Sequence, residues 1–307
     1  MNPYEVPDLD VGRSKPLCPL KYEEHERYYV PVDHTEEAFA QFKAAIGDVS
    51  AVKRDGRLVV AVGDELCGKS SLLNRCAAWM SKELADAATE VHVLNLVDAC
   101  EVNVFRPERQ RQVYTSVVDE LERHELLLPS KVTVLREREE KLASGYFYLS
   151  RNLRRDAVLV VLLPPSELPE ELVGYAQFAQ ERLVFMAEIA EANLSDRKWS
   201  DVAGASASPP ILLQVGRLKA GDGWTFVESR HRLHPNGADS PKVTEKAVQQ
   251  VISAWNPSIG QLQRLLYGIH NEMLDQPRRK ASAEISFAEI TRLHFMTGRA
   301  QKRIRGS

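Results

Sequence analysis

Cysteine is scarce and poorly placed for bridging: Cys18, Cys67, Cys76 and Cys100 stand in 307 residues without a close pair. Neither a disulfide framework nor a cysteine zinc site is expected, and reduced buried thiols are the simpler reading. No apolar run approaches the roughly 20 residues that a bilayer-spanning helix needs, so no membrane partner is expected. The first twenty residues carry Pro3, Pro7, Pro16 and Pro19 among scattered acids. They lack the basic start and apolar centre of a secretion signal, and a cytoplasmic protein is the expectation. No internal repeat and no long low-complexity tract is present. Net charge is only −3, but it is uneven: from His231 onward 12 Lys and Arg face 6 Asp and Glu. A phosphate-binding face and a solvated helical surface both produce such a count, so nucleic acid is a partner to weigh and not the favoured one.

What is present is a soluble composition, 44% apolar and 27% charged, in a chain long enough for an α/β domain and a smaller second module. The apolar run "RLVVAV" leads directly into "GDELCGKS", residues 63 to 70: glycine, four residues, glycine, lysine, serine. That is the phosphate-loop pattern, placed as it must be between a strand and a helix, "KSSLLNRCAAWMSKEL". Gly63 and Gly68 let the backbone curl, and the N–H groups around Cys67, Gly68, Lys69, Ser70 and Ser71 crown a helix N-terminus. Lys69 supplies charge for the outer phosphates, and Ser70 the hydroxyl for a magnesium ion that arrives with the nucleotide. ATP and Mg2+ are the expected cofactors.

Hydrophobic patterning orders the rest. Residues 1–33 read as an extended N-terminal arm rich in proline, tyrosine and charge. "HTEEAFAQFKAAIGDV" reads as a helix, with Phe39, Phe42 and Ile46 on one face. After the phosphate loop come a second strand, "VHVLNLVDA", and two helical stretches, "PERQRQVYTSVVDELERH" and "VTVLREREEKLASGYFYLSRNL". The third strand, "AVLVVLL", does not alternate, as suits a strand buried on both faces. A helix from about Glu170, a fourth strand "RLVFMAEIA", a loop "NLSDRKWSDVAGASASPP" and a fifth strand "ILLQV" follow. Strands alternating with helices predict a parallel sheet. Beyond it "GDGWTFVESRHRL", "TEKAVQQVISAW", "IGQLQRLLYGIHNEML" and "SFAEITRLHFMTGRAQ" are helical. The expected organisation is an arm over 1–33, a P-loop nucleotide-binding α/β domain over 34–218 and a helical lid over 219–307.

This order of elements resembles the AAA+ ATPases, including the STAND signalling ATPases and the origin-recognition ATPases, over about residues 35 to 298. "GDELCGKSS" carries the Walker A motif. "VHVLNLVDA" is similar to the second strand of the origin-recognition group, and "ILLQVGRLKAGDGWTFVESR" to its passage from the fifth strand into the lid. "WNPSIGQLQRLL" resembles the lid helix that bears the family's nucleotide-sensing arginine, which falls here at Gln263 or Arg264. The resemblance implies a P-loop NTPase fold with a five-stranded parallel sheet and a small helical lid, ATP binding, and a protein partner or self-association. A GTPase fits less well, because no Asn-Lys-x-Asp motif exists. A small-molecule kinase stays a minor alternative, with Asp98 as its base.

The chain departs from the family at the end of the third strand. There the family keeps an aspartate for magnesium and a glutamate that polarises water, and here Pro164 and Pro165 stand. The nearest substitutes are Ser166 and Glu167, with Glu167 the catalytic candidate, and Asp98 is a second carboxylate to weigh. At the sensor position after the fourth strand come Glu188, Glu191 and Asn193, and Arg182 and Arg197 are candidates for an arginine finger. The expected function is an ATP-binding regulatory or assembly module, in which nucleotide closes the lid and alters a protein interface, with slow or absent hydrolysis. A DNA-associated ATPase of origin-recognition type and a scaffold with a vestigial loop are the alternatives.

Overall fold

A computed structural model of the chain describes residues 2–11, 15–47, 49–86, 89–97, 106–234, 241–274 and 284–292. It divides into two compact units, one of Glu37–Gly63 with Lys69–Gln214 and one of Met1–Glu36, Asp64–Gly68 and Val215–Ser307.

The first is the sheet unit. Five strands, β1 (Arg57–Val62), β2 (Glu90–Asn95), β3 (Ala157–Leu162), β4 (Leu183–Ile189) and β5 (Ile211–Gln214), lie in the order β2-β3-β4-β1-β5. All four pairings are parallel. Every residue of β3 and β4 is buried, which is why β3 reads as an unbroken apolar run and β4 as one broken only by Glu188. The helices of this unit are α1 (Thr35–Ile46), α2 (Lys69–Asp86), α3 (Arg106–Arg123), α4 (Pro129–Arg136), α5 (Leu142–Asn152), α6 (Pro169–Phe178) and α7 (Asp196–Ala205). Phe42 of α1 meets the Trp79 ring of α2 edge-on at 5.7 Å. On the sheet, Tyr146 stacks on Phe178 at 5.1 Å and meets Phe185 edge-on.

Two stretches differ from the sequence reading. The segment over 132–153, expected as one helical stretch, is broken between α4 and α5. Its middle, Glu137–Lys141, is charged throughout with no apolar residue to bury, and the Tyr114 hydroxyl donates to the carbonyl of Leu135 at 2.9 Å, satisfying a C-terminal acceptor of α4. The loop expected after the fourth strand contains α7. The Ser195 side chain caps it by accepting from the Lys198 N–H, and Val202 is buried in the core of the sheet unit. Small residues in "DVAGASA" masked its single apolar stripe.

The second is the helical unit. It holds α8 (Asp222–Leu233), α9 (Glu245–Trp255) and α10 (Ile259–Leu274), with a short parallel pair, β6 (Lys242–Val243) and β7 (Glu284–Ile285). Thr244 caps α9 by accepting from Ala247 N–H. Ser258 and Gln261 form a reciprocal capping box at the start of α10. Tyr4, Val30 and Val32 from the N-terminal segment are part of this unit's apolar core, with Phe226, Val251 and Leu266.

Candidate functional site

The phosphate-loop pattern lies between β1 and α2. Gly63 ends the strand by donating its N–H to the carbonyl of Ile189 on β4 at 3.4 Å. The loop turns tightly, with the Cys67 N–H reaching the Asp64 carbonyl at 3.4 Å. Leu66 and Gly68 both take positive φ, 61° and 82°, a conformation that glycine adopts without steric cost and leucine does not. Cys67 is fully buried. Lys69 opens α2 and its Nζ donates to the Gly63 carbonyl at 2.9 Å, so the ammonium lies back over the start of its own loop. Ser71 follows half-buried in the first helical turn. Among the sequence-selected residues, then, Gly63, Cys67, Gly68, Lys69, Ser70 and Ser71 form one continuous strand-turn-helix.

The stretch Asp64–Gly68 is part of the helical unit. Gly260 N–H donates to the Leu66 carbonyl at 3.0 Å, and a Cβ at Gly260 would stand 3.0 Å from both Leu66 Cβ and Leu66 O. Arg217 Nε meets Asp64 Oδ2 at 2.8 Å while its Nη1 donates to the Asn256 carbonyl at 2.8 Å. Asn256 is the left-handed C-cap of α9. Asp64, an awkward charge beside phosphate, is thus paired with a cation.

The Ser70 hydroxyl points at Glu188. Its Oγ lies 3.1 Å from Oε1 and 2.9 Å from Oε2 of that carboxylate. Glu188 sits on β4 in register with Ala61 of β1 and is only 7% exposed. Burial pushes its carboxyl above the ordinary value, against the opposing pull of the Ser70 hydrogen bond and of Lys69.

The end of β3 is a local irregularity. Leu162 pairs with Met186, so continuing that register sets Pro164 beside Glu188. Yet Ser166, not Pro165, bridges to Ile189, and the Ser166 N–H donates to the Glu188 carbonyl at 2.8 Å. The proline pair therefore adds a one-residue bulge, as residues without an N–H do at strand ends. Arg109 fixes it by donating to the Pro165 carbonyl at 2.8 Å and pairing with the buried carboxylate of Glu171 at 3.1 Å.

The remaining candidates are scattered. Glu167 is exposed, and its carbonyl accepts from the Asn193 side chain at 3.0 Å. Arg264 is exposed on α10 of the helical unit. Arg182 is buried, donating to the carbonyls of Ser150, Leu153 and Arg154 at the C-terminus of α5, which rules it out as a finger for a neighbour. Arg197 is exposed on α7. Asp98 and Cys100 lie outside the described residues. Sequence reasoning gave no partner to Glu188 and did not single out Arg217. The signal for Glu188 was there: it is the one charge in the strand "LVFMAEI".

The order β2-β3-β4-β1-β5, with the phosphate loop after β1 and helices following β5, now meets the known structures. The ORC1 protein of Aeropyrum pernix in complex with DNA matches with a TM-score of 0.55 and 14% identity, over 88% of this chain and 67% of that one. Two structures of the ORC2 protein of the same organism, one as ADPNP–ADP complexes and one in the ADP form, match with TM-scores of 0.52 and 0.53 and 14% identity. They are matched over 85% and 87% of this chain and 66% and 71% of those.

This is the AAA+ P-loop ATPase fold.

At that identity it is the AAA+ fold that is shared, and this chain spans about two thirds of the length of the ORC2 chain with ADPNP and ADP. No family model matches the sequence, and no curated protein matches it. Among the described residues, no helix of this AAA+ fold is long and apolar enough to cross a membrane.

Proposed function

We propose that the chain binds ATP with Mg2+ at the loop Gly63–Ser71 and acts as a regulatory or assembly module rather than as a fast ATPase. The observation that carries this is the loop's backbone: positive φ at Leu66 and Gly68, a helix opening at Lys69, and the Lys69 ammonium lying on the Gly63 carbonyl. Such a turn aims successive N–H groups and a helix N-terminus at an anion. The nucleotides in the ORC2 structures support the same reading.

What supports a regulatory role is the set of ties on the loop. Asp64 and Leu66 are tied to Arg217 and Gly260, and Arg217 also binds the end of α9. Phosphates that reorder the loop bear on those ties, so nucleotide shifts the helical lid by its differential affinity for the two arrangements, and with it a protein interface. STAND-type signalling is the class of behaviour this implies, with Arg264 as the lid residue that senses the nucleotide.

Calorimetry with ATP and Mg2+ tests the reading. Wild type is expected to bind, and Lys69→Ala to lose most of the affinity, because one cation and its directed hydrogen bonds leave the phosphate site. Undiminished affinity in Lys69→Ala would end the argument.

A further inference from the structure

Glu188 is an expensive residue where it stands. It interrupts an apolar strand all of whose residues are buried, and removing a carboxylate from water costs several kcal/mol unless charges and hydrogen bonds compensate. Compensation here is thin. Among the described residues the only hydrogen-bond partner of the carboxylate is the Ser70 hydroxyl, which has one proton to share between two oxygens at 3.1 and 2.9 Å. A carboxylate offers about four lone-pair sites, so most are left without a protein donor. Lys69 draws on the carboxyl through its charge, while its Nζ donates to the Gly63 carbonyl. A strand core that pays this cost for one hydroxyl is arranged for something that brings positive charge.

The consequence for Ser70 is directional. With its proton committed to Glu188, the lone pairs of its Oγ are turned away from the carboxylate and are available to a cation. The β3 residues that come beside Glu188 are those of the bulge, Pro164 and Pro165, and neither has a carboxylate to give. We propose that Glu188, on β4, is the carboxylate of the magnesium site: it accepts the Ser70 hydrogen bond, orients that hydroxyl toward Mg2+ and sets its own negative charge beside the ion, from one strand over. This inference rests on the nucleotide-binding reading above, since one hydroxyl and one carboxylate do not hold Mg2+ unaided and the ion arrives on the phosphates. Glu188 is a positioning residue for the metal, and nothing in this placement supplies a base for water.

The test compares ATP affinity with Mg2+ and with EDTA, followed by a fluorescent ATP analogue on the full chain. Wild type is expected to bind more tightly with Mg2+. Glu188→Gln keeps the size and the hydrogen bond but not the charge. It should bind as wild type does in EDTA and lose the magnesium advantage by about 10- to 100-fold, the usual cost of removing a group that orients a metal ligand. Glu188→Asp should recover part of it. If the amide variant does not fold, Glu188→Met, which suits the apolar strand and removes a buried charge, takes its place with the same expectation. An unchanged magnesium advantage in the charge-free variant would overturn the proposal and leave nucleotide binding standing. Equal losses with Mg2+ and with EDTA would overturn it too, by showing that Glu188 only builds the loop. Wild type that binds no ATP in either condition would instead remove the nucleotide reading, and the proposal with it.

Discussion

Gly56 shows how closely the backbone constrains single positions, here at the end of β1 opposite the phosphate loop. It stands one residue before β1, and a Cβ added there would meet Gln180 O at 2.2 Å and Ala179 C at 2.4 Å. These obstacles are main chain, which cannot swing aside as a side-chain tip can. Gly56→Ala is therefore expected to destabilise by about 1–3 kcal/mol, the range for overpacking a filled interior; a denaturant midpoint equal to wild type would contradict it. Arg182 makes the same point with opposite chemistry. From sequence it reads as a candidate finger or, more simply, a solvated surface arginine, whereas its guanidinium satisfies three carbonyls at the end of α5. Burial and partners, invisible in a one-dimensional pattern, decide the role of such a residue.

Among the elements, the end of β3 is where the expectation about turnover belongs. Pro164 and Pro165 put a bulge where an aspartate and a glutamate would stand, and Glu167 beyond it is exposed. Losing a group that orients or activates the nucleophile commonly costs a factor of about 100 to 10,000 in rate. Single-turnover measurement with radiolabelled ATP should thus return the nucleotide intact, with Glu167→Gln indistinguishable from wild type. Brisk turnover that collapses in Glu167→Gln would make this glutamate catalytic after all. The strands themselves were legible, because runs such as "AVLVVL" and "LVFMAEI" are buried on both faces and advertise it. Helix α7 was not. Its one deeply buried contact, Val202, gives no periodic signal amid alanine, glycine and serine.

For the whole molecule, pH reports on the helical unit. His231, His234 and His270 are held below the ordinary imidazole value, in each case chiefly by burial. His231 faces His270, Lys242 and His234, and His234 faces Arg230, Arg27 and Glu5. Both ring nitrogens of His270 lie against carbonyls, Leu266 at 3.0 Å and Pro241 at 2.8 Å, which favours its cation, but burial outweighs them. His92 on β2 is shifted the same way. The unfolded chain takes up protons near the ordinary value of about 6.5 while the folded chain does not, so stability is complete above that value and falls as pH drops below it. Thermal melts at about pH 7.5 and about pH 5.5, a window above the ordinary carboxylate range, should show a lower midpoint at the acid end. An equal or higher midpoint there would refute this.

The sequence by itself determined the position of the phosphate loop, the order of strands and helices, and the absence of carboxylates at Pro164 and Pro165, because each is written in neighbouring residues or a short period. Only the tertiary structure decided which charges meet. Ser70 and Glu188 are 118 residues apart, and Asp64 and Arg217 are 153 apart. A parallel sheet sets next to each other strands that are distant in sequence, since each crossover must carry a helix. The partner of a loop residue is then fixed by strand order and register, which no local pattern contains.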